Sequence, residues 1–167
     1  MMLESVLSPV VEALRGAGLN AVRAYPRLPL CPKGGTLLCV SVSEAKGSPA
    51  GLGAYLGVGT DPVTGLSEEL YGARCAMELA VDIYVAADAE DATTECMRCA
   101  ELITKALRTL PEGIKISSLS LGPMTADTQT GRFLCRAVLT ASAYFIARAA
   151  DEDGVFTDFI LKGSVRG

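Results

Sequence analysis

The sequence predicts an α+β fold, a mostly antiparallel β-sheet packed by two main helices in the order helix, strands with a hairpin, helix, strands. Three observations carry this. From Tyr71 to Val85, Tyr71, Ala73, Cys75, Met77, Leu79, Val81, Ile83 and Val85 share one parity, while Gly72, Arg74, Glu78 and Asp82 hold the other. Phe133 to Ala147 alternates in the same way. Period-two alternation marks a strand with one face in a core and one in water. Between these segments Ala92, Cys96, Cys99, Ala100, Ile103, Leu107 and Leu110 recur at helical spacing, so a helix covers the dry face.

Taken in order, Leu3, Val6, Leu7, Val10 and Leu14 predict a first helix that Gly16 and Gly18 close. Pro9 either begins its firm part after a Ser8 cap or kinks it. Asn20 to Tyr25 is short and ambiguous, and Pro26, Pro29 and Pro32 predict an extended loop. Thr36 to Ser43 alternates as a strand, with Leu38, Val40 and Val42 on one side and Cys39, Ser41 and Ser43 on the other. Residues 45–51 read as mobile, and residues 44–66 as a Gly/Pro-rich loop and hairpin inserted into a single domain spanning 1–167. Within it, Gly51-Leu-Gly53 and Gly57-Val-Gly59 each begin a G-x-G, but neither has the third glycine and following helix that a dinucleotide site requires. A strand from Ala54 to Val58, a turn at Asp61-Pro62-Val63-Thr64-Gly65 and the long strand beyond fit better.

The second helix has Asp88, Glu90, Asp91 and Glu95 near its start and Arg98, Lys105 and Arg108 later, and Pro111 stops it. That distribution complements the helix dipole and explains the acids without a metal. Ile114 to Leu121 alternates loosely. Asp127-Thr-Gln-Thr-Gly131 forms a polar hairpin tip, Gln129 separating it from an aspartic-protease Asp-Thr-Gly. Asp151-Glu-Asp-Gly154 reads as a turn into a closing strand from Val155 to about Val165, and lacks the twelve-residue spacing of a calcium loop.

Composition narrows the function. With 167 residues, half of them hydrophobic, the chain fits one globular domain. A net charge of −4 opposes nonspecific binding of nucleic acid, which draws on clustered Lys and Arg. No leader pattern opens the chain and no apolar run approaches the ~18 residues that span a bilayer, so the expectation is an intracellular, soluble protein without membrane contact. Six cysteines include Cys96-Met-Arg-Cys99, the spacing of zinc knuckles and thioredoxin-like motifs. There is no His to complete a zinc site, and Cys31, Cys39, Cys75 and Cys135 stand singly. Both thiols of the pair fall on the apolar helix stripe, and Cys75 and Cys135 on the inward strand parity, where cysteine acts as a small hydrophobe. An enzyme would have to work without a histidine general base. No catalytic, metal-binding or cofactor-binding residue is therefore assigned.

The order of elements resembles the tail terminator (tail completion) family of long-tailed bacteriophages and prophages. The resemblance runs from about Leu3 to Ala147. It rests on the acidic start of a helix after a strand ending Val81-Asp-Ile-Tyr-Val85, and on the hairpin Asp127-Thr-Gln-Thr-Gly-Arg132-Phe133 feeding a strand that ends Ala141-Ser-Ala-Tyr-Phe145. It implies a structural protein with no enzymatic role and no cofactor. Such a protein assembles into a ring, usually hexameric, that caps the tail tube, stops its growth and presents a surface to the head-connector protein. It would act in the host bacterial cytoplasm during virion assembly and then in the virion tail or neck. Residues 45–65 and the C-terminal strand are the expected subunit contacts. The alternative is another phage neck or tail-tube component, or a related ring-forming interaction module; a small enzyme is the remaining one.

Overall fold

A computed structural model of the chain describes residues 3–24, 35–49, 54–61, 63–86, 89–111, 113–147 and 159–160. The elements are helix α1 (Glu4–Gly16), strands β1 (Ala21–Arg23), β2 (Leu37–Pro49), β3 (Tyr55–Thr60) and β4 (Ser67–Val85), helix α2 (Ala92–Ala106) followed by a 3₁₀ turn (Leu107–Thr109), and strands β5 (Ile114–Asp127), β6 (Arg132–Ala147) and β7 (Phe159–Ile160). The expected α+β architecture is present.

The strands form one sheet in the order β1-β2-β4-β6-β5, with β3 paired to β4 and β7 to β6. β1 runs parallel to β2, and the other pairings are antiparallel. β4 is longer than its alternation predicts, starting at Ser67, and β6 begins at Arg132, where the loop from Asp127 is expected to lead into it. They pair side by side from Tyr71↔Ala147 to Val85↔Phe133. This register puts Leu79 opposite Leu139, Val81 opposite Ala137 and Ile83 opposite Cys135, all on one face. On the next strand Leu38, Val40 and Val42 stand opposite Ile83, Val81 and Leu79.

Helices α1 and α2 cover that face with Val6, Val10, Leu14, Cys96, Cys99, Ile103 and Ala106, closing one continuous core with the sheet. Among the described residues Phe145 is the one aromatic in this core, and elsewhere alanines on β6 face larger residues on the neighbouring strands, Ala137 opposite Val81 and Leu121 and Ala141 opposite Met77 and Ile116. Asp91 caps α2, its carboxylate accepting from the amides of Thr93 and Thr94 and from the Thr94 hydroxyl. Those bonds hold its carboxyl below the usual range.

Several expectations are corrected. α1 begins at Glu4 without a side-chain cap and continues through Pro9, so Ser8 does not start it; its hydroxyl accepts from Arg23 instead. The ambiguous stretch after Asn20 contains β1. Residues 45–49, expected to be mobile, are the second half of β2, paired from Ala45↔Met77 to Pro49↔Ala73. A register shift between Val42 and Glu44 moves β2 out of phase, and residues 44–48 beyond it are exposed, so no dry face announces them. β5 alternates loosely because it is bulged twice, between Ile116 and Ser118 and between Leu121 and Met124. Each bulge restores the inward aim of the next apolar residue, so that Ile116, Leu119, Leu121 and Met124 face Ala141, Leu139, Ala137 and Cys135. The expected turn at residues 151–154 lies outside the described residues, as does the closing strand apart from β7.

Candidate interaction surface

The hairpin expected around Asp61 is present and defines the most unusual surface of the molecule. β2 ends opposite Ala73 and β3 begins opposite Tyr71, so the two strands lie in line along the same side of β4. β6 accompanies β4 only as far as Tyr71. Among the described residues, β4 from Ser67 to Leu70 is therefore paired with β3 alone, and the two strands form an arm that runs roughly 15 Å beyond the helix-covered sheet at the usual rise per residue.

Local chemistry shapes the arm. At its tip Asp61 accepts from the Val63 amide and the Thr64 hydroxyl, each at 2.8 Å. The Gly65 amide donates to the Asp61 carbonyl, with Gly65 at φ 71°. At its base Tyr55 and Tyr71 meet edge to face with ring centroids 5.6 Å apart, and the Tyr71 hydroxyl donates to Glu69 at 2.7 Å. Gly59 and Gly72 are required by close packing. A side chain on Gly59 would strike Leu70 at 2.7 Å, and one on Gly72 would come within 2.1 Å of the Phe145 carbonyl oxygen. Gly72 lets β4 lie tight against β6 where the arm leaves the sheet.

Much of the arm's apolar surface is uncovered. Val63 is 88% exposed, Leu66 69% and Val58 65%. Residues 54–71 also carry Asp61, Glu68 and Glu69 and no basic residue.

At the far end of the strand order β5 presents its outer edge. Its two bulges and Pro123 break the row of donors and acceptors that a further strand would need, so this edge is poorly suited to strand addition. On the face away from the helices, Asp82 and Arg136 stand opposite each other on β4 and β6. They form a two-point pair, Nε to Oδ1 at 2.6 Å and Nη2 to Oδ2 at 2.9 Å, with Asp82 buried and Arg136 reaching into solvent.

The cysteines sit where the helix stripe and strand parity place them. Cys96 and Cys99 are on the buried face of α2 above Cys135. Burial first, and then the neighbouring Cys135 thiol, pushes Cys96 up to about 12; burial, with the Glu95 carboxylate, pushes Cys99 up to about 11. At neutral pH these thiols are protonated and poor nucleophiles or metal ligands. Cys39 and Cys75 are buried as well, and Cys31 lies outside the described residues. Among the described residues no three metal-ligating side chains of the His, Cys, Asp or Glu type converge, and no helix is long and apolar enough to cross a membrane.

Of the acids near the start of α2, Asp88 lies outside the described residues. Glu95 is engaged internally. It takes two bonds from Arg98 at 2.8 Å and one from the Thr36 hydroxyl at 2.8 Å, which tie the helix to the residue before β2. These partners, Arg98 foremost, hold its carboxyl down at about 2. Asp127 closes the β5–β6 turn by accepting from the Gln129 amide and the Thr130 hydroxyl. Both acidic positions thus have structural partners.

Sequence reasoning found the hairpin, its tip and the burial of the thiols. It missed the Asp82–Arg136 pair, which only the register between two distant strands reveals. It also missed that, among the described residues, β4 from Ser67 to Leu70 pairs with β3 alone and that Val58, Val63 and Leu66 are exposed there. No family model matches the chain, and no curated protein matches it.

Proposed function

We propose that this protein is a structural, tail terminator-like component of a phage or prophage. It would assemble into a ring that caps the tail tube and joins it to the head connector. The single observation that carries the reading is the projecting arm: a two-stranded hairpin in water is marginal by itself, and one that leaves Val58, Val63 and Leu66 uncovered is built to be completed by another surface. An arm that seats on a different part of another copy makes a head-to-tail contact, which closes into a ring when its rotation permits. The blunted β5 edge supports the same reading, because strand addition there would compete with a closed ring. The resemblance in element order to tail terminators supplies the specific role, with the tail-tube and head-connector proteins as partners.

The test is solution mass, by light scattering on a sizing column over a wide concentration range, with and without the tail-tube protein encoded in the same gene cluster. A discrete species of ring size, six copies being the expected number, or a monomer that the tube protein converts to one, supports the proposal. A chain that remains monomeric at high concentration and ignores tube protein overturns it.

A further inference from the structure

The helix layer offers a surface that matches the arm. Between α1 and the second half of α2 runs an open groove of about 550 Å³, lined by Ala13, Gly16, Ala17, Leu102 and Ala106 with Lys105 on its wall. Four of these residues are alanine or glycine, so the groove floor has room for branched side chains from outside. Lys105 and, one turn on, Arg108 are exposed and form no ion pair among the described residues; Glu12 is the one acid on the lining. An apolar trough with a cationic side faces outward at one place, and an apolar tip with an acidic stem projects at another.

The arm cannot serve its own groove. β4 runs unbroken from Ser67 to Val85, so the arm extends the sheet instead of folding back over the helices. We propose that Val63 and Leu66 of one copy seat in the α1–α2 groove of the next copy, with Glu69 of the arm meeting Lys105 and Arg108. This rests on the ring reading above and names its contact. The apolar tip supplies affinity by leaving water, and the opposed charges set the direction in which the arm lies.

Two singly substituted full-length chains, Val63→Cys and Ala17→Cys, mixed and treated with a short bismaleimide, give the decisive result. The expected product is a crosslinked dimer that forms in the mixture and not in either variant or the wild type alone; the described native cysteines are buried and should stay out of the reaction. In parallel, Lys105→Glu is expected to weaken association at least tenfold, and Glu69→Lys in the same chain to restore part of it. Rings that persist unchanged in Val63→Ser/Leu66→Ser and in Lys105→Glu, with no mixed crosslink, overturn the arm-in-groove contact while leaving the ring reading intact. A wild-type chain that never assembles, even with tube protein, overturns both. Thermal unfolding of each variant shows that any loss of association is not loss of fold.

Discussion

The helix-covered sheet and the arm are made from the same strand, yet they are held by different means. In the body, β4 has neighbours on both sides and a helix layer above it, and Leu79, Val81, Ile83 and Val85 are completely buried. In the arm, Ser67 to Leu70 has β3 as its one strand neighbour among the described residues. Ala54, at the base of β3, holds φ at +64°, which costs about 1 kcal/mol in a residue other than glycine. In the body β4 is hydrogen-bonded on both sides and in the arm on one, and burial differs as well. Hydrogen bonds, with the Tyr55–Tyr71 contact at its base, shape the arm, whereas buried apolar area stabilises the body.

The comparison is broken most strongly from the body side. Shortening Leu79, completely buried opposite Leu139, is expected to cost about 3 kcal/mol in Leu79→Ala, read as a lower denaturant midpoint at unchanged slope. At the boundary, Gly72→Ala places a methyl against the Phe145 carbonyl and forces the strands apart, a loss of about 2 to 3 kcal/mol, with faster amide exchange along residues 67–73 as its signature. Arg136→Ala leaves the buried Asp82 carboxylate without its partner and should lower stability by about 2 kcal/mol, most of which the double change with Asp82→Ala recovers in a thermodynamic cycle.

Smaller effects sharpen the contrast. The folded-state value of Glu95, about 2, lies below its ordinary value near 4.5, so its contribution is fully present above pH 4.5 and is lost as pH falls toward 2. Glu95→Gln should therefore cost about 1 kcal/mol at neutral pH, after allowing for the exposure of Arg98, and should flatten the stability profile between pH 4.5 and 2. Smallest of all on the isolated chain, Val63→Ser and Leu66→Ser are expected to change unfolding free energy by less than about 0.5 kcal/mol. A larger loss would show that the arm is part of the folding unit and erase the distinction.

How much of this was legible follows from the same contrast. Where a strand has one dry face, as from Tyr71 to Val85, parity reads it directly, and the α2 stripe reads equally well. Residues 44–48 of β2 are exposed on both sides and carry no such signal, so a paired strand looked like loose chain. In β5 the period was present but interrupted, since Ile116 to Leu119 and Leu121 to Met124 each step by three across a bulge. β1 is three residues long and owes its state to β2, which no local pattern encodes. The candidate surface was half visible: the turn chemistry of Asp61 to Gly65 is local and was read, while the pairing of Ser67 to Leu70 with β3 alone among the described residues depends on the register between β4 and β6.

The pairing of β4 with β6 also sets the order of events when the chain folds. The β3–β4 and β5–β6 hairpins close through the short turns at residues 61–66 and 128–131, so each can form early from neighbours in the chain. Joining them sets Tyr71 against Ala147 and Val85 against Phe133, contacts that span the whole of α2 and β5 and carry the large loop-closure cost. The meeting of the two hairpins along the row of Leu79 and Leu139 is then the slow step. A change there should slow refolding, whereas a change at Val58 should leave the refolding rate as it was.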